Sequence, residues 1–243
     1  MLIYKTREKM GFCAAIVLLL LMNACDHVPA LHGSGNLVRD TRQVSSFEKV
    51  EFDSVGSVEI IQDGTESVII ETDDDVMEHV TTQVHAGTLY VGRDLVSQAP
   101  TKFNIVLHVD KLTGFSVPGS WDVRSDSLAA DQIGIKIDGT GTVRIKQLTA
   151  DELAVLVGGS GVLEIAGQVT NQAIAVSGKT VTYRAGDLQS KTSTITGTGE
   201  FTLWVTEALD MKIDGACIVE YYGNPVIRIG KSASCEIRNL GEK

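Results

Sequence analysis

A short motif that recurs along the second half of this 243-residue sequence constrains the fold more than any other feature. The motif is a glycine, a small residue, a second glycine, and then a run in which every second residue is apolar. Clear copies are "GTGTVRI" at 139–145, "GSGVLEI" at 159–165 and "GTGEFTL" at 197–203. Alternating apolar and polar residues predict a β-strand with one buried face, so each copy is interpreted as a corner followed by a strand.

The corners form a repeat with a period of about 20 residues. Their first positions stand 20, 20, 18, 20, 18 and 16 residues apart, at Gly119, Gly139, Gly159, Ser177, Gly197, Gly215 and Lys231. The residues four places further on form an apolar column, namely Val123, Val143, Leu163, Val181, Phe201, Val219 and Cys235. A unit of this size buries its apolar face only against similar units stacked about 4.8 Å apart. The repeat therefore predicts an all-β fold, a parallel β-helix or β-solenoid with coils of about 20 residues.

The corner glycines and the N-terminal half complete this prediction. We expect glycine at the corners because it adopts positive φ without a steric clash. Upstream of the repeat the predicted strands are spaced less regularly, and an open end of a solenoid needs a cap. Residues 45–243 are therefore predicted to be a single solenoid domain, with 45–112 as an N-terminal β-sheet cap and 113–238 as regular coils.

The first 44 residues are interpreted separately from the fold. Basic residues in "MLIYKTREKM" precede an apolar run of 12 residues, which is typical of a signal peptide rather than of a membrane span. The segment "MNAC" then ends at Cys25 and resembles a bacterial lipobox. We expect 1–24 to be a lipoprotein signal peptide, Cys25 to carry the lipid, and 25–44 to be a lipid-anchored linker. An ordinary signal peptide with a chance cysteine is the alternative.

Composition argues against one class of partner and indicates no cofactor. The net charge of −10 and the lack of a basic stripe argue against nucleic acid. Each G-x-G leads into a strand instead of opening a helix, so it is not a dinucleotide-binding loop. In "GGSGVLEI" at 158–165, Leu163 stands where a calcium-binding repeat needs Asp. The run Asp73-Asp74-Asp75 is expected to be a solvated helix start, because adjacent carboxylates do not by themselves converge on a cation. We expect neither a cofactor nor a metal.

The histidines and carboxylates indicate no catalytic centre. All five histidines lie at or before residue 108, so the repeat cannot hold a Ser-His-Asp triad. A β-helical polysaccharide lyase or hydrolase would cluster carboxylates on one face. Asp122, Asp138 and Asp214 instead fall at different places along their coils. The protein is therefore predicted not to be an enzyme, and a β-helical carbohydrate-active enzyme is kept as the alternative.

Two cysteines remain in the repeat, Cys217 and Cys235. The corner alignment offsets them by two residues on neighbouring coils, which separates their Cα atoms by roughly 8 Å at about 3.3 Å per residue. A disulfide needs less than about 7 Å. The spacing therefore favours two buried thiols, although a slip in the short last coil would close the gap.

The aromatic residues offer one candidate binding surface. Tyr221 falls in an inward column and is predicted to be part of the core. Trp204 and Tyr222 each lie one place beyond the inward position of adjacent coils, so they are expected to stand side by side at the surface. Such a pair is suited to stacking against a sugar ring.

Several landmarks in order resemble one protein family. They are "GSGN" at 33–36, "SSFEKVEFDSVGSVEI" at 45–60, "GTLYVG" at 87–92, the repeated G-x-G corners, and "YYGNP" at 221–225. Together they resemble the putative auto-transporter adhesin family with a head GIN domain, over about residues 33–238. The resemblance implies a β-helical fold and a role in adhesion or envelope interaction, and it implies no catalytic residues.

These observations lead to one functional expectation with two alternatives. We expect a non-enzymatic protein, lipid-anchored in the bacterial cell envelope, that displays a rigid β-solenoid surface for adhesion or binding. The membrane, through the N-terminal lipid, and an envelope component, a surface glycan or a protein are the expected partners. Neither the choice of inner or outer membrane nor periplasmic or surface exposure follows from the sequence. The alternatives are a β-helical carbohydrate-active enzyme and a purely structural envelope lipoprotein.

Overall fold

A computed structural model describes most of the chain. The described residues are 31–93, 98–100, 102–213, 215–230 and 234–243. The predicted signal peptide 1–24 and the lipid-attachment residue Cys25 lie outside these ranges.

The secondary structure consists almost entirely of β-strands. The N-terminal strands are β1 (Leu31–His32), β2 (Leu37–Gln43), β3 (Lys49–Phe52), β4 (Val55–Gln62), β5 (Ser67–Asp73), β6 (Val80–His85), β7 (Thr88–Arg93), β8 (Gln98–Ala99) and β9 (Phe103–Val109). The later strands are β10 (Gly114–Val117), β11 (Ser120–Ser125), β12 (Leu128–Ile137), β13 (Thr140–Val157), β14 (Ser160–Val176), β15 (Val181–Thr196), β16 (Gly199–Lys212), β17 (Ala216–Tyr222), β18 (Val226–Ile229) and β19 (Ser234–Asn239). A short helix, α1 (Asp74–Met77), follows β5. No helix in the described ranges is long and apolar enough to span a membrane.

Successive strands stack in parallel and in register to form a β-solenoid of about six turns. Pairing runs from β11 to β13, β14, β15, β16, β17 and β19. It aligns one inward column of residues, namely Val123, Val143, Leu163, Tyr183, Phe201, Val219 and Ile237. All but Ile237 are buried, and Ile237 packs against the same core. The predicted all-β parallel solenoid is confirmed.

Two positions in the predicted column were wrong by two residues. Tyr183, not Val181, pairs with Leu163, and Ile237, not Cys235, pairs with Val219. The apolar pattern of a strand has a period of two, so a shift of two residues leaves every apolar side chain facing inward. The pattern alone therefore cannot detect the two extra residues in each of these corners.

The corner glycines are needed for close backbone approach more than for positive φ. A Cβ on Gly139 would overlap the carbonyl oxygen of Gly119, and a Cβ on Gly159 would overlap that of Gly139. The same corners are joined by hydrogen bonds such as the one from the Ser160 N–H to the Gly139 carbonyl, at 3.0 Å. Positive φ occurs at Gly197 (101°) but not at Gly139 or Gly159. The expected reason was therefore right for Gly197 and wrong for the other two.

The N-terminal half begins the same stack and then closes its end with antiparallel strands. β3 and β4 pair in parallel with β10 and β11, and β7 and β9 pair in parallel with β3 and β4. β5 then pairs antiparallel with β9, β2 with β5, and β6 with β7. The antiparallel strands are the cap that the solenoid needs at this end. Parallel stacking therefore includes β3, β4, β7 and β9, which lie within the predicted cap, residues 45–112. The boundary at residue 112 between the cap and the regular coils stays a prediction.

The acidic run at α1 binds the preceding "GSGN" segment instead of being solvated throughout. Asp73 is buried and its carboxylate accepts the Gly35 N–H at 2.7 Å. Asp74 accepts the Ser34 hydroxyl at 2.5 Å and the Asn36 amide at 2.8 Å. The Ser34 hydrogen bond, followed by that of Asn36, lowers the pKa of Asp74. The expectation of a solvated helix start is thus wrong for Asp73.

Cys217 and Cys235 form a disulfide. The register of β17 and β19 places them directly opposite each other, with their Cα atoms 4.5 Å apart. The favoured prediction of two free thiols is wrong, because the last corner contains the two-residue slip described above. The bond ties the last coil to the coil before it.

Candidate functional site

A groove of about 980 Å³ runs along the outward face of the sheet that contains β9, β4, β11, β13, β14, β15 and β16. At one end it is lined by Ser57 and Asn104, whose side chains are joined by a 2.6 Å hydrogen bond. At the other end it is lined by Tyr222 and Lys243. We call it the charged groove because arginine and carboxylate side chains line its middle.

The middle of the charged groove is a ladder of residues from successive coils. Parallel pairing aligns Arg124 with Arg144, Arg144 with Glu164, and Glu164 with Arg184. Arg144 donates to Glu164 at 3.0 Å and to Asp122 at 3.2 Å, and Arg184 donates to Glu164 at 2.7 Å. Arg124 also pairs with Asp122. The Asp122 carboxylate therefore holds the side chains of Arg124 and Arg144 together.

This pairing fixes the charge of Glu164. The hydrogen bond from Arg184, with a further one from Arg144, holds the pKa of Glu164 below its ordinary value. The carboxylate is therefore ionised at neutral pH and acts as a hydrogen-bond acceptor. It does not have the raised pKa that a general acid needs.

The predicted aromatic pair lies at the far end of the groove. Trp204 and Tyr222 are directly opposite each other on β16 and β17, and both are half-buried. The Lys243 ammonium nitrogen lies 4.8 Å from the centre of the Tyr222 ring and 5.7 Å from that of Trp204. The same nitrogen donates to the Gly186 carbonyl at 2.6 Å and pairs with Asp187. The two rings are adjacent, as expected, but a cation covers them, and of the two only Tyr222 lines the groove.

A buried hydrogen-bond chain supports Trp204 from inside the solenoid. The Ser190 hydroxyl donates to the Trp204 carbonyl at 3.0 Å and accepts from the Gln172 amide at 2.9 Å. The Tyr183 hydroxyl donates to the Gln172 side-chain carbonyl at 2.8 Å. Burial raises the pKa of Tyr183, so its phenol stays a neutral donor. Gln172 and Ser190 are polar residues on buried positions, and the prediction of apolar columns did not include them.

His79, His85 and His108 do not line the charged groove. His108, on β9, pairs through Nδ1 with Asp63 at 2.7 Å. His79 and His85 lie just after α1 and at the end of β6. Within the residues that the structure describes, no group of three or more His, Cys, Asp and Glu side chains is placed to hold a metal ion.

The arginine ladder is a feature that sequence reasoning missed. Arg124, Arg144, Glu164 and Arg184 recur at intervals of 20 residues, one place after the inward column. This 20-residue spacing is the sequence signal for the ladder, and it lies on outward positions that the apolar columns do not include.

One known protein family is similar to this chain over most of its length. The model of the family "Putative auto-transporter adhesin, head GIN domain" matches residues 46–225, about three quarters of the chain. The chain belongs to this family. None of the curated proteins compared with it matches.

Solved structures share the fold of this GIN-domain protein. A putative adhesin from Bacteroides fragilis is 26% identical, with a TM-score of 0.80, and the alignment covers 86% of this chain and 100% of that one. A protein from Parabacteroides distasonis described as a putative lipid binding protein is 20% identical, with a TM-score of 0.68 and coverages of 86% and 99%. A putative adhesin from Parabacteroides merdae is 18% identical, with a TM-score of 0.67 and coverages of 86% and 98%. The latter two similarities show the fold alone.

Proposed function

We propose that the protein is a non-enzymatic, lipid-anchored binding module of the bacterial cell envelope, and that the charged groove is its binding surface. Membership of an adhesin-type family and the 26% identity to a putative adhesin support the binding role. The observation that carries the proposal is the ladder of paired charges along a groove that extends over several coils.

An extended surface glycan is the ligand class that fits this groove. Sugar hydroxyls both donate and accept hydrogen bonds, and the ladder offers arginine donors next to carboxylate acceptors in a fixed order. Ser57 and Asn104 add polar groups at one end, and Tyr222 adds an aromatic face at the other. Rigid positioning by the solenoid lowers the entropic cost of binding.

The state of the carboxylates favours binding over catalysis. A glycoside hydrolase needs one carboxyl with a raised pKa to protonate the leaving group, next to a second that stays ionised. Glu164 in the groove and Asp122 beside it are both paired with Arg144, and the pKa of Glu164 is lowered. The carbohydrate-active enzyme is therefore the weaker alternative.

Export to the envelope and lipid anchoring are supported by the two ends of the chain. A disulfide such as Cys217–Cys235 is typical of an oxidising compartment outside the cytoplasm. The lipobox-like segment ending at Cys25 supplies the anchor. Replacing Cys25 with serine should release the protein from the washed membrane pellet, and retention there would contradict the anchoring proposal.

A glycan-array screen tests the binding proposal. The full chain, solubilised in a mild detergent, is compared with Tyr222→Ala and Trp204→Ala. Tyr90→Ala is the matched control, because Tyr90 is 42% exposed on β7 of the cap and does not line the groove. Binding that is lost in Tyr222→Ala and kept in Tyr90→Ala supports the groove, provided that thermal unfolding shows all variants folded. Equal binding by all of them would refute it.

The structural-lipoprotein alternative makes a different prediction. If the protein only supports the envelope, deleting its gene alters the sensitivity of the envelope to detergent and leaves attachment to glycan-coated surfaces unchanged. Under the binding proposal attachment falls, and a chain carrying Tyr222→Ala does not restore it.

A further inference from the structure

The C-terminal end of the solenoid presents two edge strands. β19 pairs with β17 and β18 pairs with β16, and no described strand pairs with the far side of either. Apolar side chains are exposed there, with Val226 61% and Ile229 50% accessible. Open edges of this kind are sites where further strands add. At the N-terminal end the stack instead finishes in the antiparallel strands β2 and β6, where the Arg42 side chain on β2 donates to the Val80 carbonyl on β6 at 2.6 Å.

The free backbone groups of β19 can be identified. The Leu240 N–H donates to the Tyr221 carbonyl at 2.8 Å, so the even-numbered residues of this segment direct their backbone groups towards β17. Backbone direction alternates along a strand, so the N–H and C=O groups of Cys235, Ile237 and Asn239 point away from the solenoid. A strand added at this edge would bond to those three residues.

The side chains beside these groups are self-complementary. Glu236 and Arg238 flank Ile237 on the outward face of the sheet, where Arg238 pairs with Glu236 and donates to Glu220 of β17 at 2.8 Å. If two copies of β19 pair antiparallel about a two-fold axis at Ile237, each Glu236 faces the other copy's Arg238. A pairing centred on Glu236 or Arg238 would instead place like charges opposite each other. Of these three registers, only the one centred on Ile237 brings opposite charges together, and the strand that it pairs with is a second copy of β19.

We propose that two copies of this chain join end to end through antiparallel pairing of β19, centred on Ile237. The inward Cys235 and Ile237 of both copies then continue one apolar core across the junction. The axis is normal to the sheet, so the outward faces of the two sheets form one surface. The two charged grooves lie on that same surface, which gives a bivalent display if the grooves bind ligand. The pairing itself does not depend on the proposed function.

Charge-reversal variants of the full chain test this pairing. Native mass spectrometry from detergent micelles should give twice the chain mass for the unaltered protein. Glu236→Arg and Arg238→Glu should each give the mass of one chain, because each places like charges at the junction. Mixing these two variants should restore the doubled mass, because each arginine then faces a glutamate. Recovery on mixing also shows that both variants are folded.

Three results would overturn the proposal. They are a single-chain mass for the unaltered protein at high concentration, an undiminished doubled mass in both variants, and failure of the mixed variants to pair. An unrelated chain at the edge in place of a second copy would overturn it equally. Because no ligand is used, these outcomes are distinguishable from failure of the groove proposal.

Discussion

Removing the Cys217–Cys235 disulfide should loosen one end of the solenoid and leave the rest intact. The two residues are 18 apart in sequence, and closing a loop of that size lowers the entropy of the unfolded chain by an amount worth about 3 kcal/mol. In a stack where each coil contacts only its neighbours, removing the bond mainly lowers the stability of the last coil, which the bond joins to the coil before it. The double variant Cys217→Ala/Cys235→Ala therefore destabilises β17, β18 and β19 selectively.

Hydrogen exchange measures this local effect. A loss of about 3 kcal/mol corresponds to roughly 100-fold faster exchange for amides that exchange by opening of the last coil. Amides of β14, in the middle of the stack, should exchange at nearly the same rate in both proteins. Equal exchange of β19 with and without the bond would refute the reasoning.

A chemical test checks the bond itself. Alkylation of the unreduced full chain, followed by peptide mass spectrometry, should leave Cys217 and Cys235 unmodified, and both should be modified after reduction. Modification of both without reductant would show that the thiols are free, and the register of the last coil would then be wrong.

Three further predictions concern the corner, the buried chain and the ladder. Gly159→Ala should destabilise the protein by about 1–3 kcal/mol in thermal or denaturant unfolding, because its Cβ overlaps the Gly139 carbonyl. Gly134→Ala should be nearly neutral, because its Cβ would make only an ordinary van der Waals contact with the Thr113 carbonyl oxygen, at 3.9 Å. Tyr183→Phe should cost about 1–3 kcal/mol in the same assay by leaving the Gln172 carbonyl without its donor. Folding lowers the pKa of Glu164, so its ionised carboxylate contributes at most about 1 kcal/mol to the free energy of unfolding. This contribution is present at neutral pH and disappears as the pH falls through the lowered pKa. In Glu164→Gln this pH-dependent part of the stability should be absent. A stability profile against pH that is unchanged by the substitution would contradict the pairing of Glu164 with Arg144 and Arg184.

The coil repeat and its buried columns could be predicted from the sequence because they depend on short-range periodicity. Leu163 and Val219 were placed correctly by the alternation of apolar residues alone. Val181 and Cys235 were misplaced because an insertion of two residues keeps that alternation in phase. The disulfide was missed for the same reason.

The candidate site was predicted less completely because it depends on outward residues and on the fold-back of the C-terminus. The adjacency of Trp204 and Tyr222 followed from coil spacing. The position of Lys243 over their rings depends on the path of the last residues, where the Gly223 N–H donates to the Gly241 carbonyl at 2.9 Å. No local pattern in the sequence specifies that contact.

The most direct measurement is the equilibrium affinity for the best-binding glycan of the array, compared between the unaltered chain, Arg144→Ala and Arg228→Ala. Arg144 lies in the middle of the charged groove. Arg228, on β18, does not line the groove and forms a similar exposed pair with Asp210 on β16. Loss of a charged hydrogen bond predicts a Kd raised roughly tenfold or more for Arg144→Ala and an unchanged Kd for Arg228→Ala. Equal affinities in all three, or no binding to any glycan, would contradict the account of the groove as a glycan-binding surface.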